Sequence, residues 1–164
     1  MPKMHLVKPD MRYDASIQAF RKEFLEAGDS MDGTAHLRHW DTTQAWLAQL
    51  DPLEVQYLFV REEDEKVCGM LQIRTHLNAY LERYAGHIGY CVAPSERRQG
   101  YAREMLRLSL EKCPELGITD VLICCLRENE ASRRTILACG GTYESRVREP
   151  ESGEEIERYW VHLG

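Results

Sequence analysis

The order of apolar and polar positions predicts an opening helical part and then an alternation of strands and helices. Ile17, Phe20, Phe24 and Leu25 recur at helical spacing, predicting an amphipathic helix capped by Asp14 and stopped at Gly28. The polar stretch 29–34 reads as a loop. Asp41, with Gln44 three residues later, has the form of a capping box opening a short helix through Trp46, Leu47 and Leu50, which Pro52 ends. β-branched and aromatic residues then dominate 57–61 and 67–74, and the charged turn between them predicts a hairpin. A polar loop, 75–86, leads to a third strand in this region, 87–92, closed by Pro94. Ala102, Met105, Leu106, Ser109, Leu110 and Cys113 share one face of the next helix, and Pro114 and Gly117 mark its end. The continuous apolar run 121–126 predicts a strand buried on both faces. Asn129 begins a further helix that Gly140 and Gly141 terminate. The stretches 142–148 and 156–163 flank a turn at 150–153, the form of a closing hairpin.

No repeat or linker interrupts this order, so a single α/β (α+β) domain covering 1–164 is expected. At 164 residues the chain is long enough to bury a sizeable core. Its formal net charge of −6 argues against a nucleic-acid partner, which calls for a basic stripe. It suits a cationic substrate such as an amine, although acidity also serves solubility. No run approaches the roughly 20 apolar residues that span a bilayer, and 1–10 lack the apolar segment of a signal peptide. No membrane association is expected, and the expected address is the cytoplasm. The six cysteines, at 68, 91, 113, 124, 125 and 139, form no Cys-x-x-Cys or zinc spacing. They read as reduced, mostly buried thiols, and no metal site is expected.

The chemistry-bearing segment runs from Tyr90 to Ala102, Tyr-Cys-Val-Ala-Pro-Ser-Glu-Arg-Arg-Gln-Gly-Tyr-Ala. A strand ends, a basic turn follows, and Gly100 opens a helix. The first N–H groups of a helix lack internal partners and its dipole favours an anion there. Gly100 has no Cβ to keep a ligand away, and Arg97, Arg98 and Arg103 add positive charge. These features form a diphosphate cradle. It is not a P-loop, since no Gly-Lys-Ser/Thr follows, and the Gly-x-Gly-x-x-Gly of dinucleotide folds is absent. An Arg-rich loop that merely caps a helix has the same spacing.

Arg97-x-x-Gly100-x-Ala102, entered from Cys91-Val92-Ala93-Pro94, resembles the acyl-CoA signature of the GNAT superfamily of N-acyltransferases. Asn129-x-x-Ser132, followed by Ile136 and Gly140-Gly141, resembles that superfamily's helix after the fifth strand. The order of elements matches too, so the resemblance spans nearly the whole chain. The run Gly86-His87-Ile88-Gly89-Tyr90 and the ending Arg158-Tyr159-Trp160 resemble a bacterial subgroup of predicted acetyltransferases. The resemblance implies a mostly antiparallel mixed sheet of about seven strands flanked by about four helices. It implies acetyl-CoA as co-substrate, an amine of a small molecule or peptide as acceptor, and a homodimer. The cofactor diphosphate would rest on Arg98, Gln99, Gly100, Tyr101, Ala102 and Arg103, with Arg97 beside it. The pantetheine arm would follow the strand ending at Val92, whose N–H would meet the thioester carbonyl. Asn129 would sit near the arm, or simply cap its helix.

The need for a base depends on the acceptor. Deprotonating a lysine of pKa about 10.4 at pH 7 costs about 4.6 kcal/mol, against about 1.1 for an α-amino group near 7.8. The family's common glutamate falls at Gly86, so that base is missing. His87 is the strand residue that titrates near neutrality, but strand parity turns it to the opposite face from Val92. Tyr90 shares Val92's face and either lines the acceptor cleft or packs as an ordinary aromatic. The tyrosine acid common in relatives, seven residues after the asparagine, falls here on Ile136, and Ser132 one turn earlier is the nearest hydroxyl. The loop 76–80 is a further candidate acceptor contact. Two other functions keep the same cradle: a non-catalytic acyl-CoA-binding or sensing module, and a general phosphate-binding scaffold.

Overall fold

The computed structural model describes residues 1–164. A four-stranded antiparallel sheet is built from β1 (Met4–Val7), β2 (Glu54–Arg61), β3 (Lys66–Arg74) and β4 (Ile88–Val92), in that spatial order. A second, three-stranded antiparallel sheet comprises β5 (Asp120–Leu126), β6 (Thr142–Arg148) and β7 (Glu155–His162), with β7 in the middle. Five α-helices complete the fold: α1 (Asp14–Ala27), α2 (Thr43–Ala48), α3 (Ala79–Tyr84), α4 (Tyr101–Lys112) and α5 (Glu130–Ala138). The seven expected strands are present, but as two sheets, because no ladder joins β4 to β5.

Alternation along the strands sorts side chains into two cores. Tyr57, Phe59, Leu71, Ile88 and Val92 face α4 and join Met105, Leu106, Val121, Ile123, Ile136 and Tyr159 in one cluster that passes beneath both sheets. Leu58, Val60, Val67, Met70 and Ala93 face the other way, against Ile17, Phe20 and Phe24 of α1 and Trp46 of α2. The first sheet is therefore covered on both faces. Arg158 of β7, buried, donates to Glu144 Oε2 at 2.7 Å and to the carbonyls of Glu82 and Arg83 at the end of α3. That contact ties the connection before β4 to the second sheet.

Several local expectations are corrected. Met4–Val7 is a strand; four residues are too few for alternation to announce it. Asp10, not Asp14, supplies the cap at the start of the first helical stretch, accepting from Arg12 N at 2.8 Å across a short 3-10 turn, and Asp14 is already helical. Leu25 is exposed. The cap of α2 is Thr42, which accepts from Ala45 N at 3.1 Å, rather than Asp41. The polar loop 75–86 holds α3, a fifth helix capped by Asn78 and contributing no buried residue. Leu126, at the end of β5, is exposed rather than buried.

The turn after β4 is fixed by one carboxylate. Glu96 is buried and accepts from Arg61 Nη1 at 2.7 Å, Lys66 Nζ at 2.9 Å and Gln99 Nε2 at 3.1 Å. Burial pushes its pKa up, but these three donors prevail and hold the carboxyl below its ordinary value. Arg61 also donates to Tyr101 Oη at 3.3 Å, which ties the network to the first residue of α4. Removing one partner of a buried charge cluster leaves the others uncompensated. Glu96→Ala is expected to lower the unfolding free energy by about 3 kcal/mol, read as an earlier midpoint in urea. A midpoint within error of the wild type would show that the network does not anchor the turn.

Candidate active site

The chain's central feature is the gap between β4 and β5. Arg74 N donates to His87 O and Ala93 N to Cys68 O, so odd-numbered residues of β4 bond to β3. In an antiparallel ladder the alternate residues then point their N–H and C=O groups outward. Those are Ile88, Tyr90 and Val92, and they face β5. By the same count, Arg127 N bonds to Glu155 O and Leu163 N to Thr119 O, so Leu122, Cys124 and Leu126 face back across the gap.

The two edges meet at one place. His87 N donates to Leu122 O at 2.7 Å, and Leu122 N donates to His87 Nδ1 at 2.9 Å. Gly86 makes this approach feasible: its φ is +79°, and a Cβ there would lie 2.5 Å from Leu122 O. No backbone bond links the strands beyond it. Beyond the junction the N–H and C=O groups of Tyr90 and Cys124 and the N–H groups of Val92 and Leu126 have no partner, while Val92 O accepts from Arg97 Nε and Leu126 O from Asn129 N. The parting edges form a slot for an extended amide chain, which can add as a strand adds. His87 thus sits at the closed end of the slot, its ring engaged with a backbone N–H. Gly86, where the family's glutamate would stand, is a position that admits no side chain.

The cradle lies at the open end. Gly100 is the N-cap of α4 with φ +78°, and Arg98 also has a positive φ, +64°. No backbone N–H from Arg98 to Arg103 donates within the protein. Those of Gln99, Gly100, Tyr101 and Ala102 are therefore free along with the flanking two. A Cβ on Gly100 would meet only Met1 Cε, at 3.4 Å. Gln99 spends its side chain on Glu96, and the Tyr101 ring is buried edge-on to Phe59. The three arginines divide. Arg97 is a brace: Nε donates to Val92 O at 3.2 Å, Nη1 to Asp29 Oδ2 at 2.7 Å, and its guanidinium lies 5.8 Å from the Phe24 ring. Arg98 and Arg103 are exposed and carry no ion pair. The unpaired N–H groups, the two free cations and the bare strand edges fit a diphosphate and an amide arm.

Between slot and α5, Tyr90 Oη and Ser132 Oγ lie 2.9 Å apart. Two sequence candidates 42 residues apart are thereby brought together. Burial raises the Tyr90 pKa, so the phenol keeps its proton. Asn129 accepts from Ser132 N at 3.0 Å and so caps α5. Ile136 is buried, and its side chain packs against Gly141, where a Cβ would come within 2.5 Å of Ile136 Cγ2.

On the opposite face of β4 lies a cleft of about 340 Å³, lined by residues 31–36 with Arg38, His39, Glu54, Gln72, Arg74 and Leu81. Gly33 closes it against the strand; a Cβ there would strike Gly89 O at 2.2 Å. Asp32 stands at its mouth, exposed, with its carboxyl held above the ordinary value by the surrounding protein while Arg74 pulls it down. The chain read as sequence gave no signal for Asp32 or Arg74, since their proximity depends on a loop folding over β4. Of the loop 76–80, Asn78 caps α3, Tyr80 is exposed, and the cleft is reached only by Leu81 just beyond it. No three His, Cys, Asp or Glu side chains are gathered so as to hold a metal, and no helix is long and apolar enough to cross a membrane.

A helix-start cradle leading into a slot between parted strands, with a cleft behind, defines an acyl-CoA-dependent acyltransferase. The model of the acetyltransferase (GNAT) family matches residues 16–140, and the chain belongs to that family. It is an enzyme that takes an acetyl group from acetyl-CoA to an amine. No curated protein sequence matches it. Among solved structures it is similar to an alpha-N-protein acetyltransferase of a ribosomal protein in complex with coenzyme A (TM-score 0.74, 16% identity, 98% of this chain and 94% of that one). It is also similar to a putative acetyltransferase from Salmonella typhimurium with its cofactor acetyl-CoA (0.70, 17%, 98% and 94%). A third is a chimera of the Vibrio cholerae spermidine N-acetyltransferase (0.70, 15%, 98% and 95%).

Two outcomes check this geometry. Gly100→Val should remove detectable acetyl-CoA binding in calorimetry while the protein stays folded, because the new side chain fills the cradle and the left-handed backbone costs only about 1–2 kcal/mol. Burial, with a smaller contribution from Arg74, holds the His87 pKa below its ordinary 6.5. The unfolded chain therefore takes up a proton there first, and stability drains as pH falls below about 6.5, until the folded pKa is reached. The melting temperature should drop between pH 7 and pH 5, and His87→Asn, which keeps an acceptor but cannot titrate, should flatten part of that drop.

Proposed function

We propose that the chain acetylates a primary amine of a small molecule or peptide by direct attack, with the acceptor entering from the cleft behind β4. The observation that carries this is the arrangement on two faces: the cradle and slot open beside α4, and the cleft lies across β4. Acetyl-CoA, when bound, supplies an acetyl group activated as a thioester. Arg98 and Arg103 hold its diphosphate by charge, and the N–H groups of residues 98–103 hold it by hydrogen bonds. Arg97 acts on the cradle indirectly, by fixing the turn. The Val92 N–H, turned into the slot, stabilises negative charge on the carbonyl oxygen. Asn129 acts through its cap, which sets the start of α5 and so the place of Ser132.

Asp32 takes the part of ammonium anchor and proton acceptor in this reading. Its raised pKa moves it toward the range useful to a base, and it is near enough to Tyr90 to influence that phenol's ionisation. His87 is reserved for the junction. Tyr90 donates a proton to the departing thiolate, and Ser132 orients the phenol and can relay a proton to it. A cytoplasmic setting suits six unpaired thiols. Homodimer assembly suits the open edge of β6, where Tyr143 is exposed; sedimentation as a monomer at micromolar concentration would refute it.

An amine-panel assay following free thiol released from acetyl-CoA tests the function. Release that depends on an added amine supports transfer, whereas tight binding without release under any amine would favour a sensing module. Tyr90→Phe should lower kcat by about 10²-fold or more with acetyl-CoA affinity retained, and Ser132→Ala should lower it less. Asp32→Asn should lower kcat/KM most for acceptors of high amine pKa and shift the pH profile. Full activity of Tyr90→Phe would return protonation of the thiolate to water.

A further inference from the structure

The acceptor cleft contains a cation with nothing to pair it. Arg74, at the end of β3, is half-buried, and burial holds its pKa below the ordinary value. An arginine has five N–H donors; here a single hydrogen bond is made, from Nη1 to Gly86 O at 3.1 Å. Asp32 and Glu54 are its acidic neighbours, yet neither comes within the 4.0 Å of an ion pair. Glu54 instead accepts from Gln72 Nε2 at 3.1 Å. The guanidinium lies over Gly89, where a Cβ would fall 2.9 Å from Nη2. A glycine at that place in β4, with no positive φ to require it, leaves room for the arginine head.

A cation withdrawn from water without a partner is costly, and the unused donors front the cleft. The formal charges lining it are balanced, Asp32 and Glu54 against Arg38 and Arg74, while the whole chain carries −6. A polyamine finds no use for Arg74, and a polyanion meets Asp32 and Glu54. A molecule carrying both signs satisfies both ends. At about 340 Å³ the cleft is at the small end of small-molecule sites.

We propose that Arg74 binds the carboxylate of the acceptor, so that the substrate is an α-amino acid or a close analogue with its amine directed toward Asp32. This rests on the transferase reading above and adds the class of acceptor. Arg74 is a specificity residue here: its planar fork matches a carboxylate with two parallel bonds, and the reacting amine lies at the other end of the molecule.

The test compares matched acceptors at saturating acetyl-CoA: glycine, alanine, methionine, phenylalanine and glutamate, each against its α-carboxamide, with spermidine as a polycation. The wild type should favour the free carboxylate by about ten- to hundredfold in kcat/KM, the range of a charged hydrogen bond. Arg74→Gln should bring that ratio near unity, Arg74→Lys should restore part of it, and Gly89→Ala should reduce it by displacing the guanidinium. Acetyl-CoA affinity, measured on every variant, reports whether the fold survives. Carboxamides or spermidine used as well as the amino acids would overturn the proposal, as would Arg74→Gln slowing both members of each pair alike. If none is acetylated, calorimetry of the same amino acids on coenzyme A-loaded protein decides: heat lost in Arg74→Gln sustains the carboxylate site, and no heat in the wild type overturns it. Failure of the wild type to bind acetyl-CoA would instead bring down the transferase reading, and this inference with it.

Discussion

The molecule is organised around two hydrogen bonds between His87 and Leu122. Where they form, the two sheets share an edge; where they cease, the edges part with the N–H and C=O groups of Tyr90 and Cys124 unmatched. A sheet normally hides such edges by pairing or covering them. Here the exposure is kept, and the large core beneath both sheets holds them at a fixed separation. Buried Arg158 secures α3 to the second sheet on the face away from that core, so the junction is fixed from both sides.

In the proposed reaction the two substrates address opposite faces of one strand. Even-numbered residues of β4 turn their side chains toward α4 and α5, where Tyr90 meets Ser132. Odd-numbered residues turn toward α1 and the loop carrying Asp32, with Gly89 left bare beneath Gly33 and Arg74. Arg97 spans the two regions, bonding the end of β4 to Asp29 in that same loop. The strand is thus a partition only one residue thick between the two proposed sites.

What was legible in the sequence was local. The cradle could be read from Val92 to Arg103 because every feature it needs lies within one turn: a strand end, a left-handed glycine and a helix start. Helix α4 and its buried face followed from spacing alone. Contacts between distant segments were not legible. His87 reads as a titrating base until Leu122, 35 residues on, is seen to occupy its ring. Arg97 reads as a phosphate ligand until Asp29 is seen beside it. Asp32, Glu54 and Arg74 come from three separate segments, and none carries a pattern of its own. Helix α3 escaped detection because it buries nothing, and apolar periodicity is the signal by which helices are found.

Gly86 has a consequence for how such an enzyme can change. Its backbone is left-handed and its missing side chain is what lets Leu122 approach. A carboxylate at that place would open the sheets before it could accept a proton. Mutational routes to a stronger base run instead through the exposed position of Asp32, since its loop neighbours Gly33 and Asp29 are tied to β4 and to Arg97. The fold has in effect closed one path and left another open, and variation in acceptor range should collect at Met31 and Asp32 rather than at Gly33 or in β4.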